Sequence, residues 1–336
     1  MKAFLKSQKS KNAFKAIITT IAICTIYRIT NTEALLLSLS KISPTHVTAA
    51  FLLNILGTVA LNSAQIYENL KNKTISQPNL YIKLLEIDFQ TRFYALFMPA
   101  GLTAAVRWKK YHSMNIAHSN TIESIVVNKL QQFSIIFMVA GYFFAFREQT
   151  QIAKANSTVI GYILISLASA LIIVTPFCSL KSLPIPLRRI LLSLSNKIPL
   201  FSKKYKIDIS PATNQYTSIH YRIRELLKMT LWSVGSFLLT AASLYIICSS
   251  LNAEISWLDA CFVRAVVSLA LMIPISVAGI GFRELSTIGA LHIINVPTEI
   301  GLACGMTLFI FQILISIIGG VMEISSRPVS PESPNA

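Results

Sequence analysis

The chain has 336 residues, 53% hydrophobic and only 13% charged, with a mean hydropathy of +0.59, whereas about a quarter of the residues in an ordinary soluble domain are charged. Its 30 Lys and Arg against 14 Asp and Glu give a net charge of +16, which in a soluble protein would suggest nucleic acid. No nucleic-acid motif accompanies the charge, and cytoplasmic loops beside anionic headgroups account for it, so the composition points to an integral membrane protein.

A bilayer crossing takes about 20 predominantly apolar residues. In chain order, spans are expected at residues 14–27 (short), 46–66, 130–146, 157–180, 229–251 and 300–324. Two further apolar regions, 80–106 and 256–294, are interrupted. The first carries Glu86, Asp88 and Arg92 and then FMPAGLTAAVR, with Pro99, Gly101 and Arg107; the second carries MIPISVAGIGFRE, with Pro274, Ser276, Gly279, Gly281, Arg283 and Glu284. Irregular backbone at membrane depth survives only where protein or a water-filled cavity satisfies its polar groups. The expected fold is therefore all-α: a polytopic helical membrane protein of about six full spans plus two broken or re-entrant hairpins.

Lys and Arg in short loops stay on the cytoplasmic side. Lys2, Lys6, Lys9, Lys11 and Lys15 precede the first span, Lys71 and Lys73 follow the second, and Arg107, Lys109 and Lys110 follow the first broken region. With both its flanks inside, region 80–106 must enter and return. Residues 181–228 form a basic cytoplasmic loop with ten Lys or Arg against Asp208 and Glu225. Its segment 186–198 can lie in the headgroup region or pack as a connector, and 218–228 reads as a helix continuing into the next span. The second hairpin then enters from outside, and the N-terminus and C-terminus are both cytoplasmic. Hairpins entering from opposite faces are compatible with an inverted repeat, the arrangement in which discontinuous helices of transporters meet near the midplane. Residues 1–325 are read as one transmembrane domain and 326–336 as a disordered polar tail.

The five cysteines lie singly in apolar runs, and the five histidines form no metal-ligand spacing with them. No nucleophile elbow, phosphate-binding glycine loop or dinucleotide fingerprint is present, so no catalytic residue, metal or cofactor is expected. What remains is ionisable groups at membrane depth, costly there and functional by default: Glu86, Asp88, Arg92, Arg107, Lys129, Asp259, Arg264, Arg283 and Glu284. Arginine stays charged when desolvated and offers a planar fork matching phosphate oxygens, which suits an anionic headgroup. The alternative is internal pairing, Asp88 with Arg92, Asp259 with Arg264, and Arg283 with Glu284 through neighbours.

At these residues the chain resembles the lysylphosphatidylglycerol synthetase transmembrane region family of flippase-like membrane proteins. Pro274, Ile275, Ser276, Gly279, Gly281, Arg283 and Glu284 match its Pro-Ile-Ser, Gly-x-Gly, Arg-Glu pattern, and Pro99, Gly101 and Arg107 are similar to an earlier apolar-Pro-Gly segment. The Gly-Gly-Asp usual before that arginine is replaced by Thr103, Ala104 and Ala105, and an acidic-Arg pair by Asn128 and Lys129. The resemblance implies a protein of the plasma membrane (the bacterial inner membrane) that moves an anionic phospholipid or polyprenyl-phosphate glycolipid during envelope assembly. Arg92, Arg107, Lys129, Asp259, Arg264, Arg283 and Glu284 are the implied substrate contacts. About a dozen residues follow the last span, so the soluble aminoacyl-transferring domain of bifunctional relatives, and lysyl transfer, are not expected. Two other readings are a membrane-embedded glycosyltransferase with Asp259 or Glu254 as base, and a non-catalytic subunit of an envelope-assembly complex. Expected partners are membrane lipid or lipid-linked glycan, anionic headgroups at the cytoplasmic face, and another copy of the chain or an assembly complex.

Overall fold

The computed structural model describes residues 33, 43–71, 79–98, 100–114, 116–146, 154–175, 219–272, 279 and 281–325. The expected first span 14–27, the basic segment 181–218, the tail 326–336 and the residues Pro99, Pro274 and Ser276 lie outside them. Beyond Glu33, the described residues form nine helices: α1 Pro44–Leu70, α2 Leu80–Phe97, α3 Ala100–Ser113, α4 His118–Phe146, α5 Lys154–Val174, α6 Ile219–Ser250, α7 Trp257–Met272, α8 Phe282–Ile293 and α9 Thr298–Ser325. No strand occurs among these residues.

Four helices are long and apolar enough to cross a membrane: α1, the Asn120–Phe146 part of α4, the Arg224–Ser250 part of α6, and α9; the apolar part of α5, Thr158–Val174, is shorter. Their outward faces carry large apolar side chains such as Leu52, Ile163, Leu231, Ile317 and Val321, a display a water-soluble monomer would not tolerate. With this pattern and these lengths, the chain is an integral membrane protein. Close crossings join the helices where small residues face a neighbour, the usual glue in a medium that offers no hydrophobic drive between helices. A methyl added at Gly301 or Gly305 of α9 would stand 3.0 or 3.1 Å from the α8 backbone at Ile288 or Glu284.

Both interrupted regions fold back on themselves. The first hairpin is α2, an extended residue at Met98 (φ −111°, ψ 143°), and α3. Its two ends meet, since Leu80 and Leu84 of α2 pack with Tyr111 of α3 and Ile116 just beyond it against Ile66 and Leu70 at the end of α1. The second hairpin is α7 and α8. Its base joins Leu251, Ile255 and Ala260 to Leu291 and Val296, together with Ala50 at the start of α1 and Ala303 at the start of α9. The hairpins thus enter the bundle from opposite ends of α1. At 1.5 Å per residue, α3, α7 and α8 are roughly 18–24 Å long, short of the ~30 Å hydrocarbon core. Asn79, Asn252 and Asn295 turn the chain at the hairpin bases with positive φ, a conformation asparagine tolerates better than most side chains.

Candidate functional site

The α1 helix widens into a π-helical turn at Leu56–Leu61, a distortion that often marks a functional position. Carbonyls of this turn receive donors from other helices: the Gly57 oxygen accepts from Ser236 Oγ of α6 at 2.6 Å, and the Thr58 oxygen accepts from Arg92 Nη2 of the first hairpin. Beside this turn residues of both hairpins line a cavity of about 190 Å³, far more than the ~10–15 Å³ one water requires. Its polar lining is Asn54, Thr58, Arg92, Arg264, Arg283 and Gln312, and its apolar wall includes Val267, Leu271 and Leu308. Each of the three arginines is held differently.

Arg283 follows Gly279 and Gly281, whose φ values of 80° and 77° are open to glycine and strained for other residues. Glu284 Oε2 accepts the Gly281 backbone N–H at 2.7 Å, the reach-back half of a capping box, so this carboxylate starts α8. Arg283, 6% exposed, donates from Nη2 to Gln312 Oε1 and stacks 5.6 Å from the Phe309 ring centroid, while its buried Nη1 has no hydrogen-bond partner among the described residues. Arg264 of α7 donates from Nε to Thr240 Oγ1 at 3.1 Å. Among the described residues no carboxylate forms an ion pair with Arg264 or Arg283.

Arg92 is anchored to a carboxylate instead. Asp88, one helical turn earlier and 1% exposed, accepts from Arg92 Nε and Nη2 at 3.4 and 3.3 Å, from Arg107 Nη2 across the hairpin, and from Asn62 Nδ2 at 3.1 Å. Asp88 and Arg107 lie on opposite arms at nearly equal distances from the break, which is how an antiparallel hairpin brings them together. From Asp88 a chain of buried amides leads away. Asn62 Oδ1 accepts from Asn128 Nδ2 at 3.1 Å and from Gln132 Nε2 at 3.0 Å; Asn128 Nδ2 also donates to Gln65 Oε1 at 2.7 Å; Gln65 Nε2 donates to Gln131 Oε1 at 2.6 Å; and Gln131 Nε2 reaches Thr230 Oγ1 and the Leu226 carbonyl of α6. Arg92 itself is seated on α9, where Ser316 Oγ donates to its carbonyl at 3.0 Å. A Cβ at Gly319 would overlap the Phe89 carbonyl.

Of the seven substrate contacts implied by the sequence, the fold gathers Arg92, Arg264 and Arg283 on one cavity. Arg107 is joined to them through Asp88 and does not line it. Glu284 is spent on the cap of α8. Lys129 donates to Gln132 Oε1 at 3.0 Å on α4. Asp259 sits at the base of the second hairpin, where it accepts from the Ser256 N–H and Oγ at 2.9 and 2.7 Å. The pairing of Asp88 with Arg92 is present at 3.3 Å, whereas Arg264 turns to Thr240. Sequence reasoning passed over the π-helical turn, Gln312 and the amides. A signal for the amides existed: Asn62, Gln65 and Asn69 fall on one face of an apolar span, as do Asn128, Gln131 and Gln132.

The family described as "Lysylphosphatidylglycerol synthase TM region" matches residues 12–320, nearly the whole chain, and the chain belongs to it. No curated protein matches it.

Proposed function

We propose that this member of the lysylphosphatidylglycerol synthase TM region family carries a lipid with an anionic headgroup between leaflets, its phosphate held in the cavity between the hairpin tips while the acyl chains stay in lipid. The family associates the chain with membrane-lipid work in the cell envelope; movement of a phospholipid or polyprenyl-phosphate glycolipid is our reading of the site. One observation supports it above the others: Arg92, Arg264 and Arg283 come from both hairpins to one cavity whose lining, among the described residues, contains no carboxylate. Guanidinium forks desolvated in this way match phosphate oxygens. Arg264 and Arg283 border the cavity beside Asn54 and Gln312, whose amides add donors. Rocking of one hairpin against the other would open the site to each leaflet in turn, as in transporters built on broken helices. The distribution of basic residues supports a cytoplasmic side for both termini and the 181–228 loop.

The test is transbilayer movement of a fluorescent anionic phospholipid in vesicles containing the full chain, read by quenching from outside. Substitution of Arg283 by Ala should abolish the protein-dependent movement while the variant still elutes as a single species in detergent. Movement at the parental rate in that variant overturns the assignment.

A further inference from the structure

We infer that the cavity selects a headgroup phosphate bearing two negative charges and no ammonium group, that is, a lipid phosphomonoester or diphosphate. This rests on the lipid-phosphate reading above and narrows it. Four guanidiniums converge around the tips, Arg92, Arg107, Arg264 and Arg283, with two carboxylates near them. Asp88 is shared between Arg92 and Arg107 and accepts from Asn62 as well. Glu284 is committed to the Gly281 N–H beside Arg283. Among the described residues, four guanidiniums against two carboxylates leave two positive charges over, one on the side of Arg92 and Arg107 and one on the side of Arg264 and Arg283.

Charges of one sign in a poorly solvated site repel strongly unless a counter-charge joins them. A dianion balances the surplus and a phosphodiester leaves part of it. A lysyl ester of a phosphodiester brings two ammonium groups to three arginines. Among the described residues no lining side chain accepts an ammonium as a carboxylate would; their acceptors are the amide and hydroxyl oxygens of Asn54, Thr58 and Gln312, and the Gln312 oxygen already takes Arg283. Arg283 lines the cavity and is 6% exposed, so an anionic oxygen there meets a cation with little water around it.

The experiment is competition by unlabelled dioleoyl lipids against fluorescent phosphatidic acid bound to the purified full chain in mixed micelles. The competitors are phosphatidic acid, whose phosphomonoester carries about −1.5 to −2, phosphatidylglycerol, lysyl-phosphatidylglycerol and inorganic phosphate. Phosphatidic acid should bind about tenfold or more tighter than phosphatidylglycerol, the scale of one added charge across several ångströms at intermediate dielectric. Lysyl-phosphatidylglycerol should bind weakest, and R264Q and R283Q should bring phosphatidic acid down to the level of phosphatidylglycerol. Equal binding of the two anionic lipids, or preference for the lysyl lipid, with binding still weakened in R264Q and R283Q, overturns the charge selection and leaves the arginine site standing. Binding indifferent to both substitutions overturns the arginine site itself. Inorganic phosphate competing at parity with phosphatidic acid would make the ligand a free ion and remove the lipid from the proposal.

Discussion

Asp88 is the position at which the electrostatics of the first hairpin can be measured. It is 1% exposed and holds Arg107, whose side chain is 13% exposed, and Arg92, at 29%. Changing Asp88 to Asn keeps the oxygen that Asn62 donates to, but it removes the charge and turns an amide N–H toward guanidinium donors. Arg92 is exposed enough, and close enough to the Thr58 carbonyl, that its loss costs little. Arg107 is not, and orphaning one member of a buried pair costs about 3–5 kcal/mol, a large share of a stability on the order of 5–15 kcal/mol. Unfolding in mixed micelles titrated with SDS and followed by circular dichroism should register that loss. The double variant D88N/R107L, which removes the stranded cation, should recover about 2 kcal/mol or more, because replacing both partners of a buried pair is often near neutral. D88N within about 1 kcal/mol of the parent, or a double variant no better than D88N, would refute the idea that this carboxylate balances the hairpin.

Three further outcomes are expected. Glu284→Ala should cost about 1 kcal/mol in the same unfolding titration through the lost cap, whereas Glu284→Gln, which keeps an acceptor for the Gly281 N–H, should keep most of that stability. Gly319→Ala should destabilise by about 1–3 kcal/mol, since the added methyl forces α2 from α9 at Phe89, and should slow lipid movement by displacing Arg92. In intact cells, an impermeant maleimide should label Glu254→Cys from outside and Ser113→Cys only after the membrane is opened, both positions being exposed at opposite hairpin bases; labelling of both from one side would contradict the opposed hairpins.

The hairpins were legible in the sequence because Pro99, Gly101, Pro274, Gly279 and Gly281 are residue types that a lipid-facing helix does not carry without cause, and the basic flanks forced the first region to return. The arginines were legible for the same reason of cost. Which arginines share a cavity was not, because it depends on contacts such as Arg92 with Thr58, separated by 34 residues, and Arg283 with Gln312, separated by 29. Arg107 and Arg283 read as equivalents at the ends of matching motifs; a carboxylate on the facing arm makes them unequal, and nothing near Arg107 in sequence announces Asp88. The π-helical turn of α1 had only Gly57 as a local sign.

The amide chain explains why the position of the expected acidic residue holds Asn128. Its two ends are fixed by groups that can only accept: the Asp88 carboxylate, and the backbone carbonyl of Leu226. Asn62 must therefore point its N–H2 at Asp88 and its oxygen inward, and Gln131 must point its N–H2 at α6 and its oxygen inward to receive Gln65. That leaves the Gln65 oxygen with nothing to bond, and the Asn62 oxygen with only the Gln132 Nε2 donor. One side chain must stand between them and donate twice, as Asn128 Nδ2 does. A carboxylate there would put a third acceptor among acceptors, at a buried site where each unsatisfied polar group costs about 1–3 kcal/mol. The Asp88 carboxylate of the first hairpin instead meets two arginines, and among the described residues no carboxylate forms an ion pair with the arginines of the second hairpin.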